Sequence, residues 1–232
     1  MNIIKNYLQD FLALFFPELC SACGQNLFKN EQVICTNCTF HLPYTNFHTD
    51  AENKVVRQLW GRFQFLQANA FLHFSKGGKV QNLIHELKYN NSPETGYRLG
   101  ELYGNTLANH DGWVMPDLIV PVPLHKKKLK KRGYNQSEFI AAGLSASLKI
   151  PVETNLLSRR NETETQTRKS RYNRYENMKD AFAVNNEEKF AGKHLFLIDD
   201  VMTTGATFEA CALELQTIEG IKLSIGAIAF AE

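Results

Sequence analysis

The run Leu195-Phe196-Leu197-Ile198-Asp199-Asp200-Val201-Met202-Thr203-Thr204-Gly205-Ala206-Thr207 constrains this chain more than any other stretch. Four apolar residues predict a short buried strand, with two acids where it ends. Small and hydroxyl residues follow around Gly205. An apolar stripe at Phe208, Cys211, Ala212, Leu215 and Ile218 then predicts a helix, in which Cys211 is a core residue. A strand that feeds a helix through such a loop aims backbone N–H groups and the positive helix end at an anion. Thr203, Thr204 and Thr207 add hydroxyl donors, and Gly205 permits close approach of the backbone. This loop is therefore expected to hold a phosphate monoester. Asp199 and Asp200 cannot share in that task, because like charges repel. Vicinal carboxylates suit the hydroxyls of a ribose, or a magnesium-bound substrate. An isolated Asp pair is explained as simply by the end of a strand and the cap of a helix. The run lacks the Walker lysine pattern, and the chain holds no glycine-rich dinucleotide fingerprint.

The 232 residues suit one sizeable domain with an appendage, and a hydrophobic content of 44% suffices for a packed core. We divide the chain into an N-terminal amphipathic helix with a cysteine module over 1–45 and a larger domain over 46–232. Phe63, Phe65, Phe71, Leu72 and Phe74 suggest a strand pair, and Val80, Leu83, Ile84 and Leu87 predict a helix ending near Lys88-Tyr89. Leu99, Leu102, Tyr103, Thr106 and Leu107 predict the next helix, and Asp117 to Pro121 a short strand. Asn135 with Glu138 resembles a capping box that opens a helix through Leu148. The last strand spans Leu223 to Phe230. Strands alternating with helices indicate an α/β fold, a parallel sheet covered on both faces, with ligands at the carboxyl ends of its strands.

Cys20-Ser21-Ala22-Cys23 and Cys35-Thr36-Asn37-Cys38 are two CxxC units separated by eleven residues. Each is a turn that can point two thiolates at one ion, so together they supply a tetrahedral zinc (Zn2+) shell. Leu27-Phe28 and Val33-Ile34 flank the turn Lys29-Asn30-Glu31 and suggest a hairpin joining two knuckles, as in a zinc ribbon. Four cysteines leave no open coordination position, so the site is expected to be structural. The competing readings are four free thiols or a redox dithiol, which usually occurs once beside a strand–helix unit.

Net charge is only +2, but its distribution is uneven. Lys126, Lys127, Lys128, Lys130, Lys131 and Arg132 crowd into seven positions, and Arg159, Arg160, Arg168, Lys169, Arg171 and Arg174 form a second basic stretch. Two such clusters on a nearly neutral chain imply a local anion site or a nucleic-acid face. Pro121-Val122-Pro123-Leu124-His125 follows a strand, and its prolines stiffen a loop that can act as a backbone cradle. Beside the phosphate loop, it suits a second anionic group, pyrophosphate. Arg132 is the candidate there, since a guanidinium binds phosphate bidentately. Residues 158–180 are polar and read as a loop or lid. No segment is long and apolar enough to span a membrane, and Phe11 to Phe16 make a poor secretory signal. Ile4, Leu8, Phe11, Leu12 and Phe15 fit an amphipathic helix instead. The expected location is the cytoplasm.

The Leu195–Thr207 run resembles the phosphoribosyl pyrophosphate signature of type I phosphoribosyltransferases. Together with the cysteine module, the Pro121–His125 loop and Arg132-Gly133-Tyr134-Asn135-Gln136, it resembles the ComF family, which is linked to natural competence and DNA uptake. Lys88-Tyr89 resembles that family's helix-end motif. The polar stretch resembles its mobile segment through Arg159, Thr163, Gln166, Arg171, Arg174, Asn177 and Ala181-Phe182, and departs from it at Asn161, Lys169 and Asp180. The resemblance implies a type I phosphoribosyltransferase-like domain preceded by a four-cysteine, zinc-ribbon-like module. It implies that Asp199 and Asp200 bind the ribose hydroxyls, that Met202 to Thr207 hold the 5′-phosphate, and that Lys88, Pro121, Val122, Pro123 and Arg132 surround the pyrophosphate. The activity implied is transfer of phosphoribosyl from phosphoribosyl pyrophosphate, with magnesium (Mg2+), to a nitrogen acceptor that the chain does not reveal. Two rival readings stand. One is a non-catalytic ribose-phosphate sensor or scaffold working with a competence helicase or other DNA-uptake proteins. The other is a single-stranded DNA binder using the basic clusters with Tyr134, Tyr172 and Tyr175 as stacking groups.

Overall fold

The computed structural model of the chain describes residues 15–160 and 181–231. Ile4, Leu8, Phe11 and Leu12 of the expected N-terminal helix, and positions 161–180 of the expected lid, lie outside the described residues.

The strand at Leu195–Ile198 is β5, which spans His194–Met202. It is one of the two inner strands of the sheet. Among the described residues, β1 (Gln67–His73), β6 (Lys222–Phe230), β5 and β2 (Leu118–Pro121) form one sheet in the order β1-β6-β5-β2, with every neighbouring pair parallel. A parallel sheet needs both faces covered, which is why β5 reads as an unbroken apolar run. Phe196 and Ile198 pack into the core on one face, and Leu195 and Leu197 into the core on the other. The first core is shared with α3 (Lys79–Tyr89), α4 (Pro93–Ala108) and α6 (Gln136–Leu148). The second is shared with α2 (Lys54–Leu59) and α7 (Ala206–Leu215). A two-stranded antiparallel ribbon, β3 (Leu157–Arg159) with β4 (Phe182–Val184), stands on that side and brackets positions 161–180. The parallel α/β sheet covered by helices and preceded by a four-cysteine module is thus the architecture observed.

Two expectations change, and the basic run acquires a structure. Phe63 and Phe65 precede β1 in an irregular segment, so the expected strand pair is one strand, paired with β6. Nothing between Phe65 and Phe71 supplies the Gly, Asn or Pro of a hairpin turn, apart from Asn69, which is buried inside β1. The basic run is a helix, α5 (Lys126–Arg132), with no buried residue. It is capped by the His125 ring, whose Nδ1 accepts from the Lys127 N–H at 3.1 Å, and it ends at Gly133 with φ +83°. The last change concerns β5, which continues through the two acids to Met202 because β6 stays paired beside it, to Met202↔Phe230. On its other side β2 stops at Pro121↔Ile198. Asp199 to Met202 therefore overhang β2, and the gap at that edge receives the loop after β2 and the first turn of α6.

The cysteine module is packed on the sheet domain. Cys20, Ala22, Ile34, Cys35, Cys38 and Leu42 belong to the same buried cluster as Phe71, Leu72 and Leu83. The Asn82 amide donates to Ala22 O at 2.9 Å, and Tyr44 bridges Leu72 at the edge of β1. The segment between the CxxC pairs is a turn, with Glu31 N–H bonded to Phe28 O at 2.8 Å, and the second pair opens a short helix, α1 (Thr36–Phe40). No helix among the described residues is long and apolar enough to cross a membrane.

Helices α4 and α6 touch backbone to backbone. A methyl group on Gly143 would lie 2.0 Å from Tyr97 O, and one on Gly100 would lie 2.2 Å from Ile140 O. This contact sets the height of the α6 first turn beside Asp199. Gly143→Ala is expected to force the helices apart and cost about 3 kcal/mol, the upper end of ordinary overpacking. An unchanged urea midpoint for that variant would contradict this close approach.

Candidate functional site

The carboxyl ends of β2 and β5 collect side chains from four segments far apart in sequence. Lys88 comes from the last turn of α3. That helix forms because Val80, Leu83, Ile84 and Leu87 make a buried stripe, and a cation in its last turn complements the helix dipole. The Lys88 ammonium lies 2.9 Å from Oδ1 and 2.9 Å from Oδ2 of Asp200, both side chains being largely shielded from water. Asp199 accepts from the Ser137 hydroxyl at 2.8 Å and from the Asp200 N–H at 2.8 Å. Ser137 is held at the start of α6 by the Asn135 cap, whose carbonyl oxygen accepts the Ser137 N–H at 3.3 Å. The Asn135 amide donates in turn to Val122 O at 3.1 Å, and Val122 N–H donates to Ile198 O at 2.9 Å. Asn135 caps α6 through the Ser137 N–H, and its Nδ2 reaches Glu138 Oε1 at 3.2 Å; the reciprocal backbone bonds of the expected capping box are not made, but the same amide ties the Pro121-Val122-Pro123 loop to α6.

Arg132 and Lys88 converge as well. The Tyr134 hydroxyl donates to Leu87 O, and the Arg132 guanidinium sits 5.5 Å from the centre of the Tyr89 ring while donating to Gln136 Oε1 at 2.7 Å. The ends of α3 and α5 are thereby brought together, with Tyr134 packed edge-on to Phe139 as a structural ring. Past β5, Thr203 and Thr204 are exposed, and Thr207 and Ala206 half-buried. Gly205 is buried in the left-handed region at φ +74° and caps α7. The structure thus brings Lys88, the Pro121–Pro123 loop, Arg132, Asp199, Asp200 and the Met202–Thr207 turn to one end of the sheet. It also gives contacts to residues that sequence reading left without a role: Ser137, Gln136, and a group beneath the turn formed by Gln58, Arg62 and Glu209. Ser137 lies inside a stretch already singled out. Gln58 and Arg62 carry no local signal, being more than a hundred residues from what they touch.

Burial pushes the Asp199 carboxyl up to about 7. The adjacent Asp200 charge adds to the rise, while Ser137, the Asp200 N–H and Lys88 oppose it. One proton and one ammonium therefore offset two neighbouring carboxylates near neutral pH. A separate open cavity of about 1300 Å³ lies at the opposite ends of β1 and β6, among Phe47, Trp60, Phe63 and Trp113. None of the residues gathered around Asp199 lines it.

In the cysteine module the four Sγ atoms lie within 4.8 Å of one another, and Cys23 Sγ is 3.9 Å from Cys35 Sγ. A tetrahedral zinc with Zn–S near 2.3 Å requires sulfur separations of about 3.8 Å, so the donor set is compatible with zinc. Cys35 N–H donates to Cys20 Sγ and Cys38 N–H to Cys35 Sγ, each at 3.3 Å. Burial raises the Cys20 thiol, but backbone N–H groups of Cys35, Cys23 and Ala22 outweigh it and bring the thiol down to about 7. Burial pushes Cys35 and Cys38 up. Cys211 lies fully buried in the second core, as its stripe predicts.

The fold and its carboxyl-end site define a parallel α/β protein with a strand–turn–helix motif beside an acid pair and an attached four-cysteine module. No protein-family profile matches the chain. Competence protein F of Haemophilus influenzae is 33% identical over 227 residues, covering 94% of this chain and 99% of that protein. The DNA utilization protein YhgH of Escherichia coli K12 is 30% identical over 200 residues, covering 84% and 83%. The chain belongs to the competence protein F family. Among solved structures, the glutamine phosphoribosylpyrophosphate amidotransferase of Bacillus subtilis is similar at a TM-score of 0.40 and 18% identity, over 61% of this chain and 30% of that one. That likeness is too distant to bear on activity.

Unfolded, Asp199 titrates near the ordinary carboxylate value of about 4. Between that pH and about 7 the folded chain keeps a proton that the unfolded chain has lost. The group thus favours the fold at low pH, and this contribution is lost as pH rises through the folded value. Asp199→Asn is expected to flatten the pH dependence of the urea midpoint across that window, so that the variant gains on the wild type as pH rises. Parallel curves for the two proteins would show that Asp199 is not the group titrating there.

Proposed function

We propose that the carboxyl end of this sheet binds phosphoribosyl pyrophosphate and transfers its phosphoribosyl group to a nitrogen acceptor, in a protein serving natural competence and DNA uptake. The observation that carries this is the meeting, at one sheet edge, of an acid pair, two cationic side chains and a strand–turn–helix turn. Names of relatives support the setting: one is a competence protein and another a DNA utilization protein.

In this reading the 5′-phosphate sits on the Met202–Thr207 turn, where backbone N–H groups and the helix dipole meet an anion. Asp199 and Asp200 accept hydrogen bonds from the ribose hydroxyls. Their residual negative charge stabilises the oxocarbenium character that develops as the bond from C1 to the diphosphate oxygen lengthens. Pyrophosphate leaves with the electron pair of that bond, beside Arg132, Lys88 and the Pro121–Pro123 loop. The acceptor nitrogen supplies the pair for the new C1–N bond and then sheds a proton to solvent. Magnesium, carried by the diphosphate oxygens, would add charge neutralisation to the leaving group. Lys88 spans the two carboxylate oxygens of Asp200, so in this reading ligand entry exchanges the ion pair for contacts to the diphosphate and ribose. The same ion pair favours, as a second reading, a non-catalytic receptor that holds the ligand without turnover, as a sensor or scaffold among DNA-uptake partners. Competence relatives and exposed basic α5 make single-stranded DNA a natural partner class for either reading.

Calorimetry with magnesium and phosphoribosyl pyrophosphate is expected to show saturable binding, and a screen of bases and amines should find one that triggers pyrophosphate release. Asp200→Asn should abolish release while leaving the circular dichroism spectrum unchanged. Absence of binding heat at saturating ligand would refute the proposal, and binding without release for any acceptor would select the receptor.

We also propose that Cys20, Cys23, Cys35 and Cys38 hold one structural zinc. Because three of these cysteines lie in the sheet domain's own buried cluster, the metal would anchor that core face. Elemental analysis should give one zinc per chain, and its removal by chelator should lower the melting temperature of the whole protein in a single transition. A metal-free preparation melting at the same temperature would exclude this role.

A further inference from the structure

We propose that Arg62 is a positioning residue that aims the phosphate-binding turn. The inference rests on reading that turn as a phosphate cradle. It goes beyond that reading, because Arg62 lies in the segment after α2 and belongs to none of the motifs that point to ligand binding.

Two side chains grip the turn from below. The Gln58 amide of α2 donates to Thr203 O, and Arg62 Nη1 donates to Thr204 O at 2.6 Å. In a planar trans peptide the C=O and the following N–H point in opposite directions. No cis bond occurs among the described residues. Pulling the carbonyls of Thr203 and Thr204 toward α2 therefore turns the N–H groups of Thr204 and Gly205 the other way, outward from the clamp. Both peptide dipoles are thus fixed in the sense an anion requires, before any ligand arrives.

Arg62 also removes an electrostatic conflict. Glu209 lies in the first turn of α7, and its side chain is largely buried. A carboxylate there competes with a phosphate for the same positive helix end. Arg62 covers it with two donors, Nε at 3.0 Å and Nη2, both on Glu209 Oε2. One guanidinium therefore cancels the Glu209 charge and holds the Thr204 carbonyl. A lysine, with a single ammonium, cannot span both. The turn is seated directly on this clamp. A methyl group on Gly205 would fall 2.7 Å from Leu59 Cδ2 and 3.1 Å from Arg62 Nη1.

The test separates the two anionic ends of the ligand. Ribose 5-phosphate probes the turn, and pyrophosphate with magnesium probes the Arg132 end. Titration calorimetry of the full chain should show Arg62→Met losing about 10–100-fold in affinity for ribose 5-phosphate. Its affinity for pyrophosphate should stay within about twofold of wild type. Arg62→Lys should fall between, and Glu209→Gln added to Arg62→Met should recover part of the loss by removing the negative charge that Arg62 faces. Gln58→Ala lies outside the ion pair and should show the same selective loss on a smaller scale, even if Arg62→Met fails to fold. Equal weakening of both ligands, or unchanged ribose 5-phosphate binding in folded Arg62→Met or in Gln58→Ala, overturns the positioning role alone. Failure of the wild type to bind ribose 5-phosphate or phosphoribosyl pyrophosphate overturns the cradle reading, and the clamp with it.

Discussion

Two carboxylates on consecutive residues of a buried strand are the interaction around which this structure is arranged. Left uncompensated, such a pair would be expelled from the sheet or would lose both charges. Here one acid receives an ammonium and the other a hydroxyl, and the second also keeps a proton near neutrality. Each compensating group arrives on a different helix: Lys88 on α3 and Ser137 on α6. The placement of those helices, through the glycine contact between α4 and α6 and the stripe of α3, thereby serves the charge balance at the edge of β5.

That edge exists because β5 is longer than β2. Proline at the end of β2 cannot extend the ladder as a donor, and the chain turns away into the stiff Pro121–Pro123 loop. The vacated side of β5 admits the first turn of α6 while β6 continues to pair on the other side. The cysteine module is fastened to the same core face that carries α3, so its integrity and the height of Lys88 depend on a common set of buried contacts.

How much of this was legible in the chain depends on the range over which each signal acts. The strand–turn–helix at Leu195–Thr207, the α3 and α4 stripes and the Asn135 cap are local patterns, and each is present where it was read. The CxxC pairs likewise converge, as their turns require. Errors arose where local composition had no partner to consult. Phe63 and Phe65 carry strand-like side chains but have no neighbouring strand to pair with. The basic run carries no apolar stripe to mark a helix, yet a His125 cap and a Gly133 stop suffice to close a short exposed one. The reach of β5 past the acids was hidden too, because it is set by the length of β6 rather than by β5 itself.

The sequence by itself determined which residue types stand in the turn, the acid pair and the cysteine knuckles, since these are contiguous and their geometry follows from neighbouring backbone. Tertiary structure alone decided the partners: Lys88 on Asp200, Ser137 on Asp199, and Gln58 and Arg62 beneath the turn. Those contacts join positions separated by 62 to 145 residues. No periodicity or spacing encodes which distant side chain meets which; that follows from how the two faces of the sheet pack.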